Sequence, residues 1–437
     1  MKRSSVSRAV AGAAIALITL AGCSTAADGD QPAPSGDKPT LSMWVNSADT
    51  DQLKDLYAAF TAETGYELNI TSFPSDGYET ALLQRWSTGD RPDILEWHGN
   101  FNWVAAVNPA ANLRDLSDEE FVSRTVGGIL DNNASVDGVV YGAILNTPTS
   151  FGLFYNSEVL DAAGVTPPTT SSELLAACEG IRAYDPSITP FHESAGSLWT
   201  PLVFHGAYMA DSLQDGFFGA VTSRVSKVND ADSPWLASLE FYKEMLDAGC
   251  FNDDIMTAQF ENSAQVLLDG QAAFVSMHTG FIQQAIDASD QERVDETIGW
   301  TPWAATRPVV TSESSPVGTY YLPVTGDDAR EAGALEFIRF VTGPAYQGYV
   351  DATKQLPTLE GVATPDGIPA PWLIVQLSVE AYGSVPPIWV PLPGITDLVN
   401  YPGQVILGEL TPQQAVDLLQ LQAEQGAESA GLPAWAE

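Results

Sequence analysis

The chain has 437 residues, which is more than one hydrophobic core usually serves, so we expect two domains. Apolar residues make up 45% of it, and its 36 glycines and 29 prolines are well spread, which favours a folded α/β protein over a fibrous or disordered one. Its formal charge of −38 repels phosphate backbones and anionic lipid heads, so we expect no nucleic-acid partner.

Residues 1–22 have the features of a secretion signal. A basic start is followed by an apolar stretch, Ala9 to Leu20, that is too short to span a bilayer. The tetrad Leu20-Ala21-Gly22-Cys23 resembles the lipobox of bacterial lipoproteins, which implies that Cys23 is lipidated and anchors the protein to the outer face of the cell membrane. An ordinary signal peptide with an incidental cysteine, or an uncleaved anchor, is the alternative. Residues 23–39 are small and polar and predict a flexible tether.

From residue 41 the sequence pattern alternates between strand and helix. Leu41 to Val45, Leu68 to Phe73 and Ile94 to Leu95 predict three strands, and two amphipathic helices separate them. This β-α-β-α-β order predicts a mostly parallel sheet.

The stretch from Tyr141 to Asn156 predicts a crossing from one lobe to another. Pro148 and Gly152 interrupt it, and the residues after Gly152 have the composition of a buried strand. Asn156 is suited to cap the helix that follows. Strand, bend, strand and capped helix therefore occupy a short length of chain.

The second half of the chain predicts a return and a further crossing. Ala272 to Met277 is an apolar strand, which we interpret as the return to the first lobe. Another crossing is predicted near Pro316 to Pro323, before a helix from Asp328 to Thr342. The expected first lobe comprises residues 40–147 and 273–318, and the expected second lobe comprises residues 148–272 and 319–437.

Three segments carry recognisable motifs, in a fixed order. They are STGDRPDILEWHGN from Ser87, YGAILNTPTSFGLFYNSEVLDAAGVTPPTTSSELL from Tyr141, and LDGQAAF from Leu268. In this order they resemble motifs of the extracytoplasmic solute-binding proteins of ABC importers, the large maltose-binding-protein-like family that takes up sugars and oligosaccharides. Thr170 and Ser171 stand where that family usually has Thr-Trp.

The resemblance implies a two-lobed periplasmic-binding-protein-like fold of type II. Each lobe is expected to be a mostly parallel sheet flanked by helices, and several hinge segments are expected to join the lobes. The implied function is that of a monomeric, lipid-anchored substrate-binding component. It would capture a neutral sugar or oligosaccharide between the lobes and deliver it to the transmembrane permease subunits of an ABC importer. No cofactor is implied.

Sequence signatures of common enzyme classes are absent. The chain has no GxxxxGK[ST], no GxSxG, no HExxH and no CxxC motif. Its four histidines are not at metal-ligand spacing, so no metal is expected, apart from the alternative of a zinc site built from distant loops. We therefore predict a binding protein without catalytic residues. The alternatives are a surface-tethered carbohydrate-active enzyme using Asp93, Glu96 or Glu193, and a receptor of the same fold for a non-sugar solute.

Tryptophans at strand ends and in loops suggest the binding site. Sugar rings have flat apolar faces fringed by hydroxyls, so a sugar site needs aromatic platforms beside polar side chains. The family motifs add further positions by resemblance, although Phe281 stands where many members have a stacking Trp. For each position, a packed or rim residue that does not touch ligand is the alternative. The predicted ligand-binding residues are Trp44, Asn46, Trp97, His98, Asn100, Glu193, Trp199, His278, Phe281, Gly318, Tyr320 and Trp389.

Two cysteines remain after Cys23. Cys178 and Cys250 each lie on or just after a predicted helix of the same lobe, in a compartment that permits disulfides. We predict a bridge between them, and two buried free thiols are the alternative. On the chain-entropy account such a bridge contributes roughly 4 kcal/mol to stability.

Overall fold

The computed structural model describes residues 38–74, 78–126, 128–315, 317–387, 389, 392, 395, 398–429 and 432–435. The predicted signal peptide, Cys23 and nearly all of the predicted tether lie outside these residues. Residues 39–437 belong to one compact unit. Within the described ranges, no helix is both long and apolar enough to cross a membrane.

Thirteen strands occur in the described part of the chain. They are β1 (Leu41–Asn46), β2 (Leu68–Phe73), β3 (Ile94–Glu96), β4 (Ser135–Val136), β5 (Val139–Val140), β6 (Gly142–Ile144), β7 (Thr149–Asn156), β8 (Thr189–Phe191), β9 (Ala272–His278), β10 (Ile298–Thr301), β11 (Val310–Glu313), β12 (Thr319–Tyr321) and β13 (Ser384–Val385). They form two larger sheets and one small hairpin of β4 and β5.

Helices surround both sheets. Those before residue 200 are α1 (Asp51–Thr64), α2 (Tyr78–Ser87), α3 (Phe101–Ala106), α4 (Pro109–Asn112), α5 (Glu120–Arg124), α6 (Ile129–Asn133), α7 (Ser157–Ala163) and α8 (Ser171–Tyr184). Those that follow are α9 (Thr200–Tyr208), α10 (Ala210–Ser212), α11 (Phe218–Thr222), α12 (Pro234–Asp247), α13 (Phe260–Leu268), α14 (Phe281–Ala288), α15 (Gln291–Thr297), α16 (Asp328–Val341), α17 (Ala345–Thr353), α18 (Ala370–Tyr382), α19 (Tyr401–Ile406) and α20 (Pro412–Ser429).

The first sheet has the strand order β2-β1-β3-β12-β6. Its first three strands are parallel, as the alternating pattern predicted, and β12 runs antiparallel to β3 and β6. Local signals explain the helix between β1 and β2, because the Thr50 hydroxyl accepts a hydrogen bond from the Leu53 amide and Gly65 ends the helix in the left-handed region. The apolar face of α1 then packs on this sheet.

The second sheet has the order β13-β11-β7-β9-β8, and β10 also pairs with β7. The long strand β7 runs antiparallel to β9, β10 and β11, while β8 and β9 are parallel. The two-lobed α/β class is therefore confirmed, but both sheets are mixed rather than mostly parallel.

The strands do not follow the predicted division at residues 273 and 319. Strand β9 is hydrogen-bonded to β7 and β8 in the second sheet, and β11 also lies there. Strand β12 joins the first sheet, and α16 packs against the same core. The prediction therefore placed β9 and β11 in the first lobe and β12 and α16 in the second, the reverse of what is observed. An apolar strand pattern shows that a strand is buried without showing which strand it pairs with.

Three connections thus link the two sheets. The first runs from β6 to β7, as predicted, and the second from β11 to β12, near the predicted position but in the opposite direction. The third lies between α17, which packs in the first lobe, and α18, which contacts β10 and β11 of the second. We call the described residues of the first two connections, 145–148 and 314, 315, 317 and 318, the hinge segments.

The second lobe contains a disulfide between Cys178 and Cys250, whose Cα atoms are 5.7 Å apart. It joins α8 to the chain that follows α12, and both residues are buried in the core of the lobe. The predicted pairing is confirmed.

Candidate functional site

The hinge segments connect one end of the first sheet to one end of the second sheet. In the first sheet β1, β3 and β6 end here and β12 begins, while in the second sheet β8, β9 and β11 end here and β7 begins. The chain after β3 already touches a hinge segment, because Gly99 forms a bridge with Ser314. In open α/β sheets, ligands bind in the crevice outside the carboxyl ends of the strands. The cleft between these ends is therefore the candidate site.

The first wall of the cleft is built after β3. The Asn100 side chain caps α3 by accepting a hydrogen bond from the Trp103 amide at 3.2 Å. This cap places the half-buried Trp103 ring against the His98 imidazole, with centroids 5.2 Å apart and planes at 19°. His98 Nε2 lies 2.5 Å from a carboxylate oxygen of Glu79. The first wall therefore presents a stacked histidine–tryptophan pair.

Trp97 supports this pair from behind. Its side chain is 0% exposed, and its ring N–H donates to the Trp103 carbonyl oxygen at 2.6 Å. The two indoles meet edge to face, with centroids 5.5 Å apart. In this structure Trp103, which the sequence analysis missed, has the partly exposed ring that we expected of Trp97. Trp103 is three residues after Asn100, a residue type suited to cap a helix, and this spacing was the sequence signal for a tryptophan in the first turn of α3.

Trp44 and Asn46, at the end of β1, are both buried. The Trp44 ring packs edge-on against Phe73, and the Arg85 guanidinium lies 4.5 Å from its centroid. The Asn46 side chain accepts a hydrogen bond from the Ala48 amide at 2.9 Å. Trp44 is thus part of a small core beneath the first wall, and Asn46 shapes the turn after β1.

The second wall carries a matching pair. The half-buried Trp199 ring stacks on the His278 imidazole, with centroids 5.3 Å apart and planes at 26°. Phe260 stands edge-on to the same indole at 5.0 Å. Burial lowers the pKa of His278 to about 4, so its imidazole is uncharged at neutral pH. The structure therefore brings together two predicted residues from separate segments.

Phe281, the predicted replacement for a stacking tryptophan, does not face the cleft. It is 0% exposed and packs against Phe154 in the core of the second lobe, with ring centroids 4.8 Å apart. The amphipathic character of α14 explains this, because its first residue lies on the face that the sheet covers.

Glu193 is buried just beneath the second wall. One carboxylate oxygen accepts hydrogen bonds from the Ser194 amide and the Thr200 hydroxyl, each at 2.8 Å. Thr200 opens α9 directly after Trp199, so Glu193 positions the platform rather than facing the cleft. Burial raises the pKa of Glu193 to about 7.

Trp389 and a residue not predicted, Glu313, lie at the ends of β13 and β11. The Trp389 ring stacks on Phe151 with centroids 5.9 Å apart, and it stands edge-on to Trp235. Trp389 also forms a side-chain hydrogen bond with Glu313, whose pKa burial raises to about 7. Glu313 had no sequence signal of its own, since an acid at the end of a strand is common.

Gly318 and Tyr320 have structural roles in the second hinge segment and β12. Gly318 has a left-handed backbone with φ of 78°, and its amide donates to Glu96 at 2.7 Å. Tyr320 is 0% exposed, and its hydroxyl pairs with that of Tyr57 at 2.7 Å. The Tyr320 side chain therefore lies in the core of the first lobe, and Gly318 contributes only its backbone.

The three carboxylates considered for catalysis all bind protein groups. Asp93 pairs with Arg330, Glu96 accepts two backbone amides, and Glu193 binds Ser194 and Thr200. Each is at most 2% exposed, so none of them is poised to reach a glycosidic bond.

Comparisons with known proteins give a consistent result. A family model described as bacterial extracellular solute-binding protein matches residues 55–374. The chain is 24% identical over 353 residues to the melibiose/raffinose/stachyose-binding protein MelE of Bacillus subtilis, covering 78% of each protein.

Solved structures with the same fold also match. A chitin oligosaccharide binding protein superposes with a TM-score of 0.75 at 18% identity, covering 90% of this chain and all of that one. A sugar transporter protein of Bacillus licheniformis, solved in complex with stachyose, superposes with a TM-score of 0.65 at 22% identity, covering 87% of this chain and 98% of that one. At these identities the superpositions establish the fold.

Proposed function

Because this chain belongs to the bacterial extracellular solute-binding protein family and is a binding protein rather than an enzyme, we propose that it captures an uncharged oligosaccharide for an ABC importer. The observation that carries the proposal is a stacked histidine–tryptophan pair beyond the strand ends of each sheet, where we place the cleft. Indole rings match the apolar faces of sugar rings, and the imidazoles supply hydrogen-bonding groups for the hydroxyls.

The charge state of the walls supports an uncharged ligand. The imidazole of His278 is neutral at physiological pH, and that of His98 is paired with Glu79. Glu193 is buried under the second wall, where hydrogen bonds occupy one of its oxygens. A cationic or anionic solute would therefore find no complementary charge on the two aromatic pairs.

Two platforms on opposite walls favour a ligand of at least two sugar rings. The names of MelE and of the stachyose complex describe oligosaccharide ligands of this kind. A ligand that touches both walls binds the closed form better than the open form, and this difference in affinity drives closure about the hinge segments. A monomer delivering the closed complex to the transmembrane permease subunits completes the proposed role.

Calorimetry with melibiose, raffinose, stachyose and chitin oligosaccharides tests the ligand class. We expect at least one of these sugars to bind, with Trp199→Ala and Trp103→Ala each weakening the affinity about tenfold or more, because a lost aromatic platform costs about 1–2 kcal/mol. The matched control is Tyr184→Ala. Tyr184 is an exposed aromatic residue that precedes the start of β8, whereas the cleft lies beyond the end of that strand. Unchanged affinity in both tryptophan variants would show that the histidine–tryptophan pairs do not bind the sugar. If none of the sugars binds, the proposed function is contradicted.

We also propose that Cys23 carries a lipid that holds the protein at the outer face of the cell membrane. The support is the tetrad Leu20-Ala21-Gly22-Cys23 after a basic and apolar leader. Cys23→Ala is expected to release the protein from the membrane fraction, whereas the neighbouring Ser24→Ala leaves it there. Mass spectrometry of the mature N-terminal peptide gives the direct measurement, and an unmodified Cys23 would refute the anchor.

A further inference from the structure

Glu96 connects three separate parts of the site through one buried carboxyl group. It is the last residue of β3 and is 0% exposed. Its Oε2 accepts the Asn46 amide at the end of β1, and its Oε1 accepts the Gly318 amide in the second hinge segment, both at 2.7 Å. The same carboxyl group therefore fixes two strand ends of the first lobe and a hinge segment relative to one another.

The hinge contact extends to the other hinge segment. The Gly318 carbonyl accepts the Leu145 amide at 2.9 Å, and the Asn146 side chain donates to the Val317 carbonyl at 3.0 Å. A Cβ atom at Gly318 would lie 2.6 Å from the Asn146 side chain, so glycine is required for the close approach. Gly318 thus connects the two hinge segments to each other where they meet the first lobe.

Among the described residues, the titratable side chains that interact with the Glu96 carboxyl are a second acid and three phenols. Asp49 lies beside it, and α1, α2 and β12 contribute the buried phenols Tyr57, Tyr78 and Tyr320, while the more distant Lys54 acts on Asp49. Burial, and then the nearby Asp49, raise the pKa of Glu96 well above its usual range, and burial raises that of Asp49. The pair is therefore expected to keep one proton to a higher pH than isolated carboxyl groups would.

We propose that Glu96 is a positioning residue for ligand binding, whose carboxyl holds the end of β1 and the second hinge segment in the geometry that the closed cleft requires. It acts through Asn46 and Gly318 and does not touch the ligand. The expected change in sugar affinity rests on the proposed function, whereas the expected change in amide exchange can be measured in the ligand-free protein.

The shared proton gives this role a pH dependence of defined sign. While the pair keeps one proton, the Glu96 oxygens can accept both amides without facing a second anion. Once the pH rises above the raised pKa of Glu96, two adjacent buried anions repel. This repulsion and the cost of burying the charge outweigh the stronger hydrogen bonds that the anion accepts from Asn46 and Gly318, so the arrangement is destabilised. Sugar affinity is therefore expected to be complete at lower pH and to fall as the solution becomes alkaline.

Glu96→Gln and Asp49→Asn provide a matched pair of variants, since each removes one carboxyl group of the pair. Glutamine has one acceptor oxygen and loses one of the two amide contacts, so we expect about tenfold weaker sugar binding at pH 7 and at least tenfold faster exchange of the Asn46 or Gly318 amide. Asp49→Asn keeps both hydrogen bonds to Glu96, so its sugar affinity at pH 7 should stay within about threefold of wild type. Its affinity should no longer fall at alkaline pH.

Calorimetry from pH 6 to 9, with raffinose as the first sugar, and hydrogen exchange of the ligand-free proteins give these measurements. Wild-type affinity and pH profile in Glu96→Gln would overturn the proposal, as would unchanged exchange at both amides. If wild type binds no sugar, the proposed function fails, and the exchange rates alone decide the role of Glu96. If Glu96→Gln does not fold, an alkaline decline that persists in Asp49→Asn overturns the proposal.

Discussion

Removal of the Cys178–Cys250 disulfide is expected to lower the free energy of unfolding of the second lobe by about 4 kcal/mol, the largest effect of any change considered for this protein. The bridge spans a sequence separation of 72 residues, so it strongly restricts the unfolded chain. Both sulfur-bearing residues are buried, so their replacement also disturbs a packed core. Urea unfolding of Cys178→Ser/Cys250→Ser against the oxidised wild type measures the difference.

Reducing agent supplies the internal control for this experiment. It should shift the unfolding midpoint of wild type toward that of the double variant and leave the double variant unchanged. An oxidised wild type that unfolds at the same urea concentration as the double variant would show that the bridge does not contribute to stability.

Replacement of Asp93 by alanine is expected to cost about 3 kcal/mol, because it leaves buried donors without their acceptor. One Asp93 oxygen accepts the Ser42 amide at 2.7 Å and both the Nε and an NH2 group of Arg330. The Asp93 side chain is 0% exposed, and that of Arg330 is 35% exposed. The ion pair ties β1 and the segment before β3 to α16, which returns to the first lobe from a distant part of the sequence.

Asp90→Ala is the matched control within the same sequence motif. Asp90 pairs with Arg85 at 2.6 Å, but both side chains are over 40% exposed, so we expect a loss below about 1 kcal/mol. Equal losses in the two variants, measured by urea unfolding, would contradict the role assigned to Asp93.

The predicted tryptophan platforms illustrate how far the sequence could locate the site. Trp97 and Trp103 lie six residues apart, and the sequence predicted that the segment after β3 lines the cleft. Which of the two indoles is partly exposed depends on the Asn100 cap and on the packing of Tyr78 beneath Trp97. Tyr78 lies in α2, which precedes the motif, and the motif does not encode how this helix packs against Trp97.

The sequence by itself determined the elements whose signals are local. The strand and helix alternation up to β3, the cap at Asn156, and the first hinge segment follow from residues within a few positions of one another. Family motifs added the two-lobed class and the prediction of which segments line the cleft. These features require no knowledge of which strands become neighbours.

Only the tertiary structure decided how those elements are distributed and which side chains face the cleft. Strand β9 is equally apolar whichever sheet contains it, and its hydrogen bonds to β7 and β8 assign it to the second lobe. Phe281 is buried because α14 turns that face toward the sheet, and Glu96 becomes a connecting group because Gly318 returns to β3 from more than two hundred residues away. Strand pairing and burial depend on contacts between distant segments, and periodicity along the chain carries no information about those contacts.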